Sequence, residues 1–121
     1  IIRPSSDVTT TGWTGNPDNT NKYNNIDEIT ASDTDYITSP TISGGEFTIF
    51  GLTGSLAAGS WDIRYRANFV GASAQVRITL LDGSNVSQGA SGWQTVTSTF
   101  ADYTATVATT GAATRVKIEV Q

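Results

Sequence analysis

Apolar and polar residues alternate along the middle of this chain. Trp61, Ile63, Tyr65, Ala67 and Phe69 interleave with Asp62, Arg64, Arg66 and Asn68. Past Gly71-Ala72-Ser73, Val76, Ile78 and Leu80 interleave with Gln75, Arg77 and Thr79. A period of two buries one face of a strand and wets the other. Two such runs around a short glycine-containing turn predict a β-hairpin over Ser60 to Asp82. Arg64, Arg66 and Arg77 would then share its outer face, where they could grip an anionic surface, meet the acids of a neighbouring subunit, or pair with Asp62, Glu46 and Glu119 of the same chain.

The remaining runs are shorter. Ile1–Arg3 reads as a short edge strand halted by Pro4, and Val8 to Trp13 as a Thr-rich strand. Lys22 to Glu28 reads as a strand with Tyr23 and Ile26 inward, and Tyr36 to Ser39 as one ended by Pro40. Phe47 and Ile49 share a face of a strand over 46–50. Thr53 to Gly59 reads as a small-residue loop. Asp82-Gly83 supplies a tight turn before a short strand at Asn85–Gln88. Trp93 to Phe100 and Tyr103 to Val107 are strands by β-branched propensity. The last strand, Thr114 to Val120, turns Val116, Ile118 and Val120 inward and Arg115, Lys117 and Glu119 outward. Thr14–Asn21 and Thr30–Asp35 carry turn chemistry. No window carries a 3.6-residue apolar stripe. The expectation is an all-β chain: an antiparallel β-sandwich, jelly-roll-like, with about eight short strands and essentially no helix.

At 121 residues one domain is expected over 1–121, burying roughly 65% of its extended surface. It includes a short N-terminal arm, residues 1–8. Cysteine, histidine and methionine are absent. Disulfides, thiolate and imidazole chemistry, Ser-His-Asp triads and Cys/His zinc sites are therefore excluded. The expectation is a protein that is not an enzyme. The opening Ile1-Ile2-Arg3-Pro4 is too short and too soon charged for a signal peptide, and no apolar run reaches membrane-spanning length. The net charge of −4 is uneven. Residues 1–46 hold seven acids against Arg3 and Lys22, and the rest holds four acids against five bases. Without a clustered basic face, neither nucleic acid nor membrane is expected as partner.

Two side-chain groups have the chemistry of sites. Asp27, Glu28, Asp33 and Asp35 lie close in sequence at a strand end and loop, and together they could supply oxygens to a calcium ion. The competing reading is turn chemistry around Ser32-Asp33. No other cofactor is implied. Among the aromatics, Trp61 and Tyr65 belong to an apolar strand face and so to the core. Trp13, beside the Gly12–Asn19 loop, and Trp93, after Gly92, are the candidates for exposure and for stacking on a glycan, against the competing and favoured reading that they pack at the rim of the core.

Two stretches carry a family resemblance. The first runs Arg3-Pro4-Ser5-Ser6-Asp7-Val8, Gly12-Trp13-Thr14, Tyr23, Ile26-Asp27-Glu28, Asp33-Thr34-Asp35-Tyr36-Ile37 and Ser39-Pro40. The second runs Ile63-Arg64-Tyr65-Arg66, Val76 to Leu81, Trp93-Gln94-Thr95 and Arg115 to Val120. Together they resemble β-sandwich modules of tailed-phage structural proteins, including capsid decoration and tail-fibre components. The resemblance implies a non-enzymatic virion protein, a decoration, cement or fibre component, found on the virion or otherwise outside the cell. Its partners would be phage capsid or fibre proteins and further copies of itself, a trimer suiting a lattice vertex or fibre axis. Ile1, Ile2 and Arg3 of the arm, with Arg64, Arg66 and Arg77, are the expected subunit or capsid contacts. The alternative is a carbohydrate-binding module of a phage fibre or secreted bacterial enzyme, using Trp13 or Trp93.

Overall fold

The computed structural model describes residues 2–27, 30 and 32–121. Ten strands form among them: β1 Pro4–Thr9, β2 Thr14–Asn16, β3 Tyr36–Thr38, β4 Glu46–Leu56, β5 Gly59–Ala67, β6 Gln75–Leu81, β7 Ser87–Ala90, β8 Gln94–Thr95, β9 Ala101–Thr109 and β10 Ala113–Val120. Among the described residues the one helical element is a 3-10 turn at Lys22–Asn25. All pairings are antiparallel.

A large sheet runs β1-β4-β10-β6-β7, with β8 continuing along the same side of β6 as β7. A small sheet consists of β5 and β9, and β2 pairs with β3 in a third ribbon. Successive long strands change sheet: β4 is in the large one, β5 in the small, β6 in the large, β9 in the small, and β10 returns between β4 and β6. That winding is a jelly roll whose second sheet is reduced to two strands. The core between the sheets joins Phe50, Leu56, Val76, Ile78, Leu80 and Val116 to Ala105 and Val107 of the small sheet.

The alternating run from Trp61 to Leu80 is therefore not a hairpin. β5 pairs with β9, Trp61 opposite Val107 and Tyr65 opposite Tyr103, while β6 pairs with β10 and β7. Alternation reports that one face is buried and is silent about which strand lies alongside. Here the two runs face each other across the core. The Arg64, Arg66 and Arg77 guanidinium groups consequently stand on two different sheets and not on one outer face.

Several shorter readings are corrected too. The first strand begins at Pro4, where an absent N–H costs nothing, and not at Ile2 or Arg3. The Thr53–Gly59 stretch is no loop, because β4 extends to Leu56 and only Ala57-Ala58 link it to β5. Trp93–Phe100 contributes only the two-residue β8. Lys22–Asn25 forms a 3-10 turn instead of a strand for a visible reason. The Asp7 carboxylate accepts the Lys22 and Tyr23 backbone N–H groups at 2.9 and 2.8 Å, satisfying the donors at its start. Beside it the fully buried Asn25 side chain accepts from Asp18 N and donates to Asp18 O. Gly15 is required there, since a Cβ would run into Asp18 O and Asn25 Nδ2.

Candidate functional site: the outer face of the large sheet

Strand β4 places its apolar residues on both faces. Thr48 and Phe50 are wholly buried toward the core, yet Ile49, of opposite parity, is only 5% exposed. On β6, Leu80 faces the core, and Leu81, on the far side, is 3% exposed. Ile49 and Leu81 thus form an apolar floor outside the sandwich. They line an open groove of about 510 Å³ together with Phe47, Arg77, Lys117 and Glu119.

Across this groove runs one row of side chains set by strand register. Glu119 on β10 lies opposite Phe47 of β4 on one side and Arg77 of β6 on the other. Glu119 accepts from Arg77 Nε at 2.7 Å, from Lys117 Nζ at 2.9 Å and from Thr79 Oγ1 at 3.1 Å. Lys117 Nζ sits 4.6 Å from the centre of the Phe47 ring, and Arg77 Cζ sits 4.7 Å from the centre of the Trp93 ring. Each cation is therefore held by the same carboxylate on one side and by an aromatic face on the other. Partial burial raises the Glu119 carboxyl, but the Arg77 and Lys117 hydrogen bonds outweigh it and hold the group at about 2. The Arg77 guanidinium is raised in turn, chiefly by its bond to Glu119.

The arrangement presents N–H donors on a rigid apolar floor between two rings. Phe47 and Trp93 stand at its two ends, each against one of the two cations. Phe47 stays 39% exposed. Trp93 is half-buried, its ring covered in part by Arg77.

The other predicted residues are distributed differently. Trp13 is 6% exposed and packs into the core, so it is not a surface platform. Gly12 with positive φ turns the chain so that Trp13 points inward. Asp33 is taken up by Arg66, whose Nε and Nη2 both reach it, while Nη1 reaches Asp102 at 3.2 Å. The Arg66 bond lowers the Asp33 carboxyl. Asp35 accepts from the Thr34 hydroxyl, and Asp27 is half-buried. Glu28 and Ile1 lie outside the described residues. Among the described residues no three acidic side chains gather as a metal site. Ile2 and Arg3 run alongside the large sheet, with Arg3 O accepting from Thr53 N at 2.8 Å. Arg64 is exposed on β5.

Phe47, Ile49, Thr79, Lys117 and Glu119 were not read from the sequence as site residues. The available signal was the paired apolar neighbours Ile49-Phe50 and Leu80-Leu81. In a strictly two-faced strand one of each pair should have been polar.

Comparison with known proteins adds no relative: no family model, curated protein or solved structure matches the chain.

Proposed function

We propose that this chain is a non-enzymatic structural module of a tailed-phage virion, a capsid-decoration or fibre component, that holds its partner through the outer face of its large sheet. The observation that carries the reading is the Phe47–Glu119–Arg77–Trp93 row. Its single carboxylate accepts from Arg77, Lys117 and Thr79 and is held ionised down to about pH 2, which makes it a weak base for proton transfer. What it offers is a pre-ordered face of rings, alkyl groups and N–H donors, in which the aromatic residues and Arg77 are of the types enriched at interfaces. The resemblance to phage modules agrees with this use, because its residues Asp7, Trp13 and Tyr23 support the fold and leave the sheet face to make the contact.

A carbohydrate is the second ligand class favoured by the row. Rings at both ends with planar hydrogen-bonding groups between them suit the apolar face and hydroxyl rim of a sugar chain. The Trp93→Ala variant tests both readings in one design. Purified chain is co-sedimented with particles of the phage that encodes it and, separately, applied to a glycan array. Loss of particle binding by the variant, with no glycan retained by the native chain, supports the virion role. Glycan retention that the variant loses supports the module reading. Particle binding indifferent to both Trp93→Ala and Phe47→Ala rules out the outer face as the contact.

A further inference from the structure

Among the described residues β9 is the only strand that pairs with β5, and no strand pairs with its other edge. This edge differs from the others in the molecule. The β1 edge is broken by register shifts between Pro4 and Ser6 and between Asp7 and Thr9. The edge opposite β10 on β6 is interrupted between β7 and β8. Bulges and breaks of this kind keep an edge from recruiting another strand. By contrast, β5 runs from Gly59 to Ala67 in unbroken register. Its inward residues Trp61, Ile63 and Tyr65 are only half-buried, whereas Ala105 and Val107 of β9 are buried. Apolar side chains are thus part-exposed on the strand whose other backbone edge has no paired strand among the described residues.

We propose that a second copy of this chain covers that edge, with β5 pairing antiparallel to β5 of its partner about a two-fold axis at Ile63. The register follows from charge and parity. Residues of opposite strands must match in parity for their side chains to share a face, so the axis falls on a residue. An axis at Asp62 would oppose Asp62 to its own copy, and one at Arg64 would oppose two arginines. An axis at Ile63 sets Asp62 opposite Arg64 twice on the outer face, and Trp61 opposite Tyr65 twice on the inner one. Opposite charges and aromatic pairs directly across strands stabilise such a sheet, and like charges there destabilise it. Among the described residues Arg64 forms no ion pair, and Asp62 accepts only the Thr106 hydroxyl at 2.8 Å. Both are exposed. The interface is isologous and makes one four-stranded sheet from two two-stranded ones. Two-fold pairing replaces the trimer expected from the resemblance. It is independent of what the large sheet binds, because β5 belongs to the other sheet.

Sedimentation equilibrium on the whole chain tests it, with Asp62→Arg, Arg64→Asp and the double exchange. The native chain is expected to dimerise. Each single variant brings like charges together twice and should raise the dissociation constant by about a hundredfold. The double exchange restores opposite charges in reversed order and should return within about tenfold of the native value. That recovery separates the interface from a folding defect, and circular dichroism checks the fold of each single variant. A monomeric or trimeric native chain, a single variant that dimerises as tightly as native, or a folded double exchange that stays monomeric overturns the proposal.

Discussion

The two flanks of the sandwich are built in opposite ways. On one, the sheets meet. Thr110 N donates to Gln88 O at 3.0 Å, joining the end of β9 to β7, and a Cβ on Gly89 would run into the Ala108 carbonyl. Phe69 N donates to Thr97 O at 3.1 Å, and Thr97 N to the Tyr103 hydroxyl at 2.9 Å, so the approach to β9 is also bridged by the chain before it. On the other flank β5 carries regular backbone and half-buried apolar residues, and among the described residues no strand pairs with its outer edge. The closed flank joins the two sheets by backbone contact, and the open flank is the edge on which the proposed second copy would pair. The difference begins in composition, since β7 and β9 are rich in Ser, Ala, Thr and Gly, whereas β5 carries Trp61, Ile63, Tyr65 and three charged side chains with a single glycine. It is completed where glycine permits backbone to touch backbone.

Opening the closed flank should have the largest effect. Gly89→Ala puts a methyl group against backbone that cannot rotate away, with Val107 Cγ1 only 3.3 Å off as well. The strands must separate, at a cost of about 3 kcal/mol. Gly92→Ala, three residues along the same edge, meets nothing within 4 Å and should stay within about 0.5 kcal/mol of native. Urea denaturation of the two variants checks the contrast; equal midpoints would mean that β7 does not press on β9.

The outer face of the large sheet should respond next, and its response depends on pH. Glu119 is depressed from 4.5 to about 2, burial opposing and the Arg77 and Lys117 hydrogen bonds prevailing. A depressed carboxyl contributes stability that is full above its unfolded value and disappears as pH falls through the folded one. Glu119→Gln removes the charge between two cations and should cost about 2 kcal/mol near neutrality. The gap from native should narrow below pH 4.5 and close near pH 2, as the native carboxyl also becomes neutral. Glu46 is likewise held at about 2, by the Ser43 hydroxyl and then by its backbone N–H, and it remains in both proteins, so it cancels from the difference. Denaturation at stepped pH reads the gap; one that is constant from pH 7 to 2 would remove the Glu119 network from the account.

How much of this was legible beforehand follows from what each signal encodes. Alternation in Trp61–Phe69, Val76–Leu80 and Val116–Val120 gave the right strands and inward faces, and Asp82 made the expected turn by accepting the Ser84 and Val86 backbone N–H groups. Pairing was not legible, because Trp61 finds Val107 across more than forty residues of chain, and nothing local at Trp61 encodes that distance. Trp13 was misplaced because glycine and turn residues beside it signal an exposed loop, while positive φ at Gly12 folds the indole into the core. The groove on the large sheet was hidden for another reason. Phe47 and Ile49 look like a core face until Thr48, a polar residue, proves to be the one buried beneath. Its hydroxyl donates to Thr9 O at 3.0 Å, which lets it lie inside.

The smallest effect belongs to the open flank, and there concentration is the variable. Ile63 is half-buried at the centre of β5, so Ile63→Ala in a dilute, monomeric sample should cost only about 1 kcal/mol, well below a fully buried truncation. If two copies pair at this residue, each Ile63 side chain lies opposite its own copy on the inner face. The cost per chain should then rise with protein concentration, because the native dimer is stabilised by mass action and the variant much less so. Thermal melts of both proteins over a hundredfold dilution series measure this. Native melting temperature should climb with concentration while that of Ile63→Ala climbs less, the two drawing together on dilution. Parallel lines would mean that Ile63 faces only its own core, and the open edge of β5 would then have no partner copy to explain it.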